Sequence, residues 1–362
     1  MSYKVYSLGE LVQIKYGKNQ KKVVSDDGPF PIYGTGGLMG HAKEYLYDKP
    51  SVLIGRKGTI NKVKYVDHPF WTVDTLFYTV VNEEIVIPKY LYYLMSLLDL
   101  EAYNEGTTIP SLRTETLNRL EFTIPSIDIQ KEILSCLNPI DEKIELNNKI
   151  NYNLEQQAIT LFRKYYNTVT AVVPFTSMLQ VLGGGTPKTS EPSFWNGNIP
   201  FFTPKDVGFP YAFVTEKTIT PEGLNHCNSR LYPLNTVFVT ARGTVGKVSL
   251  AGCPMAMNQS CYALVGKDID QLLAYHYTLV TVDKLKHKAS GAVFDAIITK
   301  DFETESVSKI SDGDADTFLA IAKPLYETIL SNCLENQRLT SMKDALLPQL
   351  MSGKIDVSEV EI

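Results

Sequence analysis

The chain is written twice. Sliding its 362 residues along themselves by 185 brings SVLIGRKGTINKV, residues 51 to 63, onto TVFVTARGTVGKV, residues 236 to 248. Val52, Gly58, Thr59, Lys62, Val63 and Pro69 then meet Val237, Gly243, Thr244, Lys247, Val248 and Pro254 without a gap. The same offset pairs Gly106 with Gly291, Leu117 with Phe302, Pro139 with Pro324, Glu142 with Glu327, Ile144 with Ile329, Asn147 with Asn332, Asn151 with Asn336 and Leu154 with Leu339. Chance does not hold one register that far. Toward each start the offset falls to 168 or 169, where SLGELVQIKYG meets FTSMLQVLGGG and GPFPIYG meets GNIPFFT. The second copy therefore carries about 17 extra residues ahead of its RGT segment. Repeats of this length are duplicated domains and not units of a solenoid.

Each repeat changes texture once. Its first part, residues 1–125 and 169–311, is rich in Gly, Pro, Thr and aromatics, with short strand-like runs such as SVLIG, LFYTVV, TVFVTA and CYALVG. That texture predicts a mixed α+β globular domain. Its second part, residues 126–168 and 312–352, loses nearly all glycine and shows helical spacing. Ile133, Leu137, Ile140, Ile144, Asn147, Asn151, Leu154, Ala158 and Leu161 follow steps of four and three, a heptad seam. The twin seam runs Phe318, Ala322, Leu325, Ile329, Asn332, Asn336, Leu339, Lys343 and Leu346. Pro139 and Pro324 suit the first position of a helix, so each repeat is expected to end in a short helix and then a long one opening at proline. The two seams can bury each other, or each can pack on its own domain. Residues 353–362 are left as a tail.

With 44% hydrophobic residues the chain has ample material for two cores. No leader pattern opens it and no apolar run approaches a membrane span, so a soluble, cytoplasmic protein is expected. Five cysteines without a CxxC pair signal neither disulfides nor a zinc site, and no metal site is expected. The net charge of −5 conceals a division: residues 1–66 hold 11 basic against 5 acidic side chains, residues 67–125 hold 3 against 9. A basic face for a polyanion and a plain solvated surface both fit that division.

Catalytic patterns fail one by one. In RGTVGKV the first glycine of a phosphate-binding loop is replaced by Ala241 and the hydroxyl residue by Val248. YGTGGLMG misses the dinucleotide-binding spacing, and no Asn/Asp-Pro-Pro-aromatic string exists to hold a flipped adenine. Asp128 and the run Asp141, Glu142, Lys143 fall on the heptad helix, where a solvated charged face explains them. His41, His68, His226, His276 and His287 lack metal-ligand spacing and a partnered nucleophile. No catalytic residue is expected.

One set of motifs runs through nearly the whole chain: YGTGGLMG (33–40), IGRKGTINKV (54–63), TIPSLRTETLNRLEFTIPSIDIQKEI (108–133), IDEKIELNNKINYNLE (140–155), GGGTPKTSEPSFWNGNIPFFTPKDV (183–207) and LLPQLMSGKI (346–355). In this order, and twice over, they resemble the specificity subunit of type I restriction-modification systems. The second repeat departs from the pattern, with KISDGDADTFLAIA where the first has TIPSIDIQKEILSC. The resemblance implies an α+β fold in which two pseudo-twofold-related target-recognition domains are joined by long helices forming an antiparallel coiled coil. It implies that double-stranded DNA carrying a bipartite site is the ligand, and that methyltransferase (modification) and restriction/translocase subunits are the partners. S-adenosylmethionine, ATP and Mg²⁺ would then sit on those partners, with no cofactor and no membrane contact for this chain. A stand-alone bipartite DNA-binding or scaffold protein, and a subunit of a related methyltransferase–nuclease system, are the alternatives.

Under this reading RKGTINK and ARGTVGK are loops between strands, where glycine lets backbone approach a phosphate and the flanking groups fix register. The candidate DNA-binding residues are Arg56, Lys57, Thr59 and Lys62 in the first repeat, and Arg242, Thr244 and Lys247 in the second. Lys205 and the pair Asn258 and Gln259, whose amides suit an adenine edge, complete the set. A tight turn with a snorkelling lysine is the alternative for the loops, and turn capping the alternative for the amides. Tyr33 and Trp71 could touch DNA or belong to the core. In the seams, Asn147, Asn151, Asn332 and Asn336 occupy positions where polar residues specify register. If the helices run from Pro139 to Tyr166 and from Pro324 to Met351, about 40 Å each and close to one turn of DNA, Asn151 and Asn336 sit near the midpoints and should face each other, flanked by the other two.

Overall fold

The computed structural model describes residues 3–288 and 296–355, so the Gly106–Gly291 correspondence and most of the tail lie outside the described residues. The chain divides into two units, Met1–Lys143 with Arg338–Ile362 and Ile144–Gln337, and each unit contains a stretch of both long helices.

The first unit is built on a four-stranded sheet in the order Val12–Tyr16, Leu76–Val81, Ser51–Gly55, Val63–Val66. Alongside it lies a smaller sheet of Gly37–Ala42, Phe30–Gly34 and Trp71–Thr72. The Ser51–Gly55 strand is buried along its whole length, as expected of a central strand covered on both faces. The helix Pro88–Ser96 covers the sheet; its Tyr90, Leu91 and Met95 join Val52, Ile54 and Phe77 in one core. Both long helices reach that core, through Ile133, Leu134 and Leu137 of one and Leu347 and Leu350 of the other.

The second unit repeats the plan. Its main sheet runs Leu179–Gly183, Cys261–Gly266, Val237–Thr240, Val248–Ala251, the counterparts of the first four strands in the same order. A fifth strand, Tyr211–Ala212, is added parallel to the edge and comes from the extra residues of the second copy. Trp195–Phe202 and Ala256–Met257 pair in parallel as Phe30–Gly34 and Trp71–Thr72 do. The covering helix is longer, Gln271–Lys288. Ala158 and Phe162 of one long helix and Phe318, Ala322 and Ile329 of the other enter its core.

The expectation of a short helix followed by a proline-opened one is corrected. Each repeat ends in a single helix of 40 residues, Ile127–Tyr166 and Asp312–Met351, roughly 60 Å of rise. Pro139 lies inside the first. An interior proline sacrifices one backbone hydrogen bond and costs about 3 kcal/mol. Burial of Ile133, Leu134, Leu137 and Ile140 around it contributes more than that, at about 1.5–3 kcal/mol for each side chain. The helices run antiparallel, since Asp141 meets Lys343, Asn147 meets Asn336 and Asn151 meets Asn332.

Those contacts also correct which asparagines face each other. Asn147 Nδ2 donates to Asn336 Oδ1 at 2.9 Å, and Asn332 Nδ2 donates to Asn151 Oδ1 at 2.8 Å. Asn147 also reaches Glu335, Asn336 reaches Asn148, and Asn151 Nδ2 lies 3.5 Å from the Cys333 sulfur. The pairing is crossed: adding 185 to Asn147 and subtracting it from Asn336 turns one pair into the other, with the centre falling at Lys149 and Leu334. Because the helices begin well before their prolines, their true midpoints lie earlier than helices opened at proline would place them.

Candidate nucleic-acid interface

The two RGT segments are hairpin loops in equivalent places, one between Ser51–Gly55 and Val63–Val66, the other between Val237–Thr240 and Val248–Ala251. A strand follows each loop, where a nucleotide-phosphate cradle would have a helix N-terminus.

In the first loop the backbone is pinned at its base. Arg56 N–H donates to Thr75 O, Leu112 N–H to Arg56 O and Gly58 N–H to Pro110 O, all within 3.0 Å, and Ile60 is sealed in the core. Gly58 sits at φ +92°, where a side chain would strain the turn. Lys57, Thr59 and Lys62 are left exposed around this rigid base. Arg56 differs from them: its guanidinium donates to Asp74 O at 2.9 Å and lies 5.1 Å from the Tyr16 ring centre. It is already held by its own domain, and it braces the loop.

In the second loop the buried hydroxyl of Thr240 organises the turn. It donates to Thr244 O at 2.5 Å and accepts from Lys247 N–H at 2.9 Å, while Gly246 N–H reaches Thr240 O. Gly243 and Gly246 take φ of +78° and +72°. Arg242, Thr244 and Lys247 stand exposed, with the Thr244 hydroxyl tied to Pro204 O at 3.1 Å. Burial, and after it the neighbouring Lys247, hold the Lys286 ammonium below the usual lysine range.

Each loop lies against the segment that leaves the neighbouring small sheet. Gly58 faces the Thr35 hydroxyl and Gly243 faces Pro204. In the first repeat this joins Lys62 and Lys64 with Gly36 and Gly37 in one cleft, and Lys64 Nζ lies 5.0 Å from the Tyr33 ring centre. In the second it brings Lys205, Arg242 and Asn258 together with Trp195 and Lys217, whose Nζ lies 5.5 Å from the Trp195 ring centre. Lys205 Nζ is paired with Glu216 at 3.2 Å.

The amide pair behaves differently from the expected adenine grip. Asn258 Oδ1 accepts the Ser260 N–H at 3.0 Å, a turn cap, and a bidentate contact to adenine would have to break that bond. Gln259 is exposed and accepts the Thr186 hydroxyl. Tyr33 and Trp71 are both core residues, the indole N–H of Trp71 donating to Lys18 O at 2.8 Å. Reasoning from the sequence passed over Lys64, Lys217 and Trp195. For Lys64 the signal was a basic residue two places beyond the RGT lysine; for Lys217 and Trp195, which meet only through the fold, the sequence offered none.

Catalytic candidates find structural work here. Asp141 accepts from Tyr93 and Lys343, and among the described residues no group of His, Cys, Asp or Glu is arranged to hold a metal. Nor is any described helix long and apolar enough to cross a membrane.

A family model for the type I restriction modification DNA specificity domain matches residues 2–156 and again 170–308. The HindI type I restriction enzyme specificity subunit of Haemophilus influenzae is 24% identical over 412 residues, spanning 88% of this chain and 89% of its own length. The MjaIX type I restriction enzyme specificity subunit of Methanocaldococcus jannaschii is 22% identical over 345 residues, spanning 87% and 80%. The crystal structure of a type I restriction-modification system S subunit from M. genitalium shares the fold, with a TM-score of 0.56 at 16% identity over 97% of this chain and 96% of that one.

Proposed function

Since the chain belongs to the type I restriction modification DNA specificity family, we propose that it is the sequence-reading subunit of a type I restriction-modification complex, with each repeat recognising one half of a bipartite DNA site. The observation that carries this is the duplicated interface: two rigid hairpin loops, each presenting glycine, threonine and lysine beside a second basic segment. Such loops supply phosphate contacts that fix register and leave neighbouring side chains free to read base edges. The long helices are the docking surface for modification subunits, which would bring S-adenosylmethionine; restriction subunits would bring ATP and Mg²⁺. This chain supplies the address and no catalysis, and works in the cytoplasm beside DNA.

Replacing residues 169–311 with the second domain of another family member, then sequencing methylated adenines in cells carrying the full complex, tests the reading. One half of the methylated site should change and the other stay. A change in both halves together would overturn the two-reader model, and methylation that is the same with and without the gene would overturn the role itself.

A further inference from the structure

The first repeat's small-sheet hairpin, Phe30–Gly34 and Gly37–Ala42, is poorly explained by packing. Side chains alternate faces along a strand, so a strand laid on a core hides every second residue. Leu38 and Met39 are consecutive, yet each keeps 60% exposure. A side chain built on Gly36, Gly37 or Gly40 would meet nothing within 4 Å. The third strand of this sheet pairs with Ile32 and Tyr33, so Leu38, opposite Tyr33, lies on the outer strand of the sheet and only the Gly34–Gly37 pair at the tip is two-stranded. Its ladder pairs Tyr33 with Leu38 and Ile32 with Gly40, leaving Met39 as the bulged residue.

The surroundings of this apolar tip are cationic. Lys62 and Lys64 share a cleft with Gly36 and Gly37, and Lys43 stands exposed just past the end of the ribbon strand. Apolar side chains ringed by cations match a surface that sets apolar groups between rows of phosphates. The DNA major groove is such a surface: about 12 Å wide, it admits a two-stranded ribbon, and the thymine C5-methyl is the apolar group on its floor. The minor groove, about 6 Å wide, is too narrow for a ribbon.

Resting on the DNA-reading function above, we propose that this ribbon enters the major groove of the half-site read by the first repeat, where Leu38 and Met39 contact thymine methyl groups. Lysines at the rim hold the flanking phosphates and set the depth of entry. In the second repeat the corresponding edge strand is Thr218–Ile219, which pairs antiparallel with Trp195–Phe202 and buries Ile219, so among the described residues that strand presents no exposed apolar pair. After Trp195–Phe202 its chain folds into a turn in which the Asp206 carboxylate accepts the Thr203 N–H and hydroxyl. Methyl reading by such a ribbon is therefore confined to one half-site.

The test uses the full chain. Wild type and the Leu38→Ser/Met39→Ser double variant each select from a pool of randomised duplexes, and the selected site is remade with deoxyuridine in place of each thymine in turn. Wild type should weaken about fourfold for each contacted methyl that is removed, in one half-site only. The double variant should select a motif degenerate at those same positions and be indifferent to deoxyuridine there. Its unchanged affinity for non-specific duplex at low salt would report an intact fold. A wild type that enriches a bipartite motif but tolerates deoxyuridine throughout, or a variant that enriches the wild-type motif, overturns the ribbon proposal while leaving the two-reader function standing. A wild type that enriches no motif overturns both.

Discussion

Asp141 in the first unit and Tyr326 in the second stand one duplication offset apart, and their surroundings differ in kind. Asp141 accepts from the Tyr93 hydroxyl at 2.5 Å and the Lys343 ammonium at 2.7 Å, with Lys89 at 3.9 Å. Water still reaches this cluster, whose three charged side chains are 20–24% exposed. At the equivalent place in the second unit Lys343 is replaced by Ala158, and the pocket is sealed. There the Tyr326 hydroxyl lies 3.1 Å from His276 Nε2, and Tyr275 donates to Glu155 Oε1 at 2.8 Å. Burial pushes the Glu155 carboxyl up to about 7, against the pull of the Tyr275 and Tyr326 hydroxyls, and burial holds the His276 imidazole down at about 3. One ancestral position thus became an ion cluster where solvent remains and a hydrogen-bonded network favouring neutral groups where it does not. The cost of burying an uncompensated charge decides which.

The sharpest way to break this contrast is pH. Glu155 has a folded value raised from 4.5 to about 7, so its stabilisation is complete below 4.5 and is lost as pH rises through 7. His276 has a folded value depressed from 6.5 to about 3, so its stabilisation is complete above 6.5 and is lost as pH falls through 3. Between pH 4.5 and 6.5 the two slopes oppose and cancel. Glu155→Gln removes one of them, and stability of the second unit should then rise by about 3 kcal/mol across that interval while the parent stays flat. The chain has two tryptophans, Trp71 and Trp195, so in a Trp71→Phe background urea unfolding followed by Trp195 fluorescence reports this unit alone. Parallel pH profiles for parent and variant would show that the network is not closed to water.

A second comparison lies within the asparagine layer. Double-mutant cycles to alanine should show coupling of about 1 kcal/mol between Asn151 and Asn332, and a similar value between Asn147 and Asn336. Asn151 and Asn336 should couple much less, because each is partnered elsewhere. Equal coupling in all three cycles would contradict the crossed pairing.

The smallest expected effect compares the two loops. Lys62→Ala and Lys247→Ala should each flatten the dependence of log affinity on log salt by about one. Equal changes support equivalent phosphate contacts in the two repeats. A parent whose duplex affinity ignores salt would refute phosphate contact by either.

Much of this was legible in the chain alone. The duplication, the strand–loop–strand character of both RGT segments and the heptad seams depend on spacing, and spacing is a property of the chain. Whether a candidate residue was free to act was not legible. Arg56 is drawn onto Asp74 and Tyr16, Asn258 onto Ser260, and Trp71 onto Lys18, contacts that span from 2 to 53 residues of chain. The protruding ribbon was equally hidden, since YGTGGLMG reads as a turn and nothing in it says that the third strand stops short.

By itself, then, the sequence determined that there would be two like domains, each ending in a long amphipathic helix, with asparagines at fixed places in the seam. Hydrophobic periodicity and repetition suffice for that. Tertiary structure alone decided that the helices run through Pro139 and start at Ile127 and Asp312, because the apolar side chains buried around the proline outweigh one lost backbone bond. Tertiary packing also set the centre of the pair at Lys149 and Leu334, which crosses the asparagines. Tertiary structure also decided the fate of Glu155, an ordinary acid on a helix by its sequence, which two tyrosines more than a hundred residues away enclose beyond the reach of water.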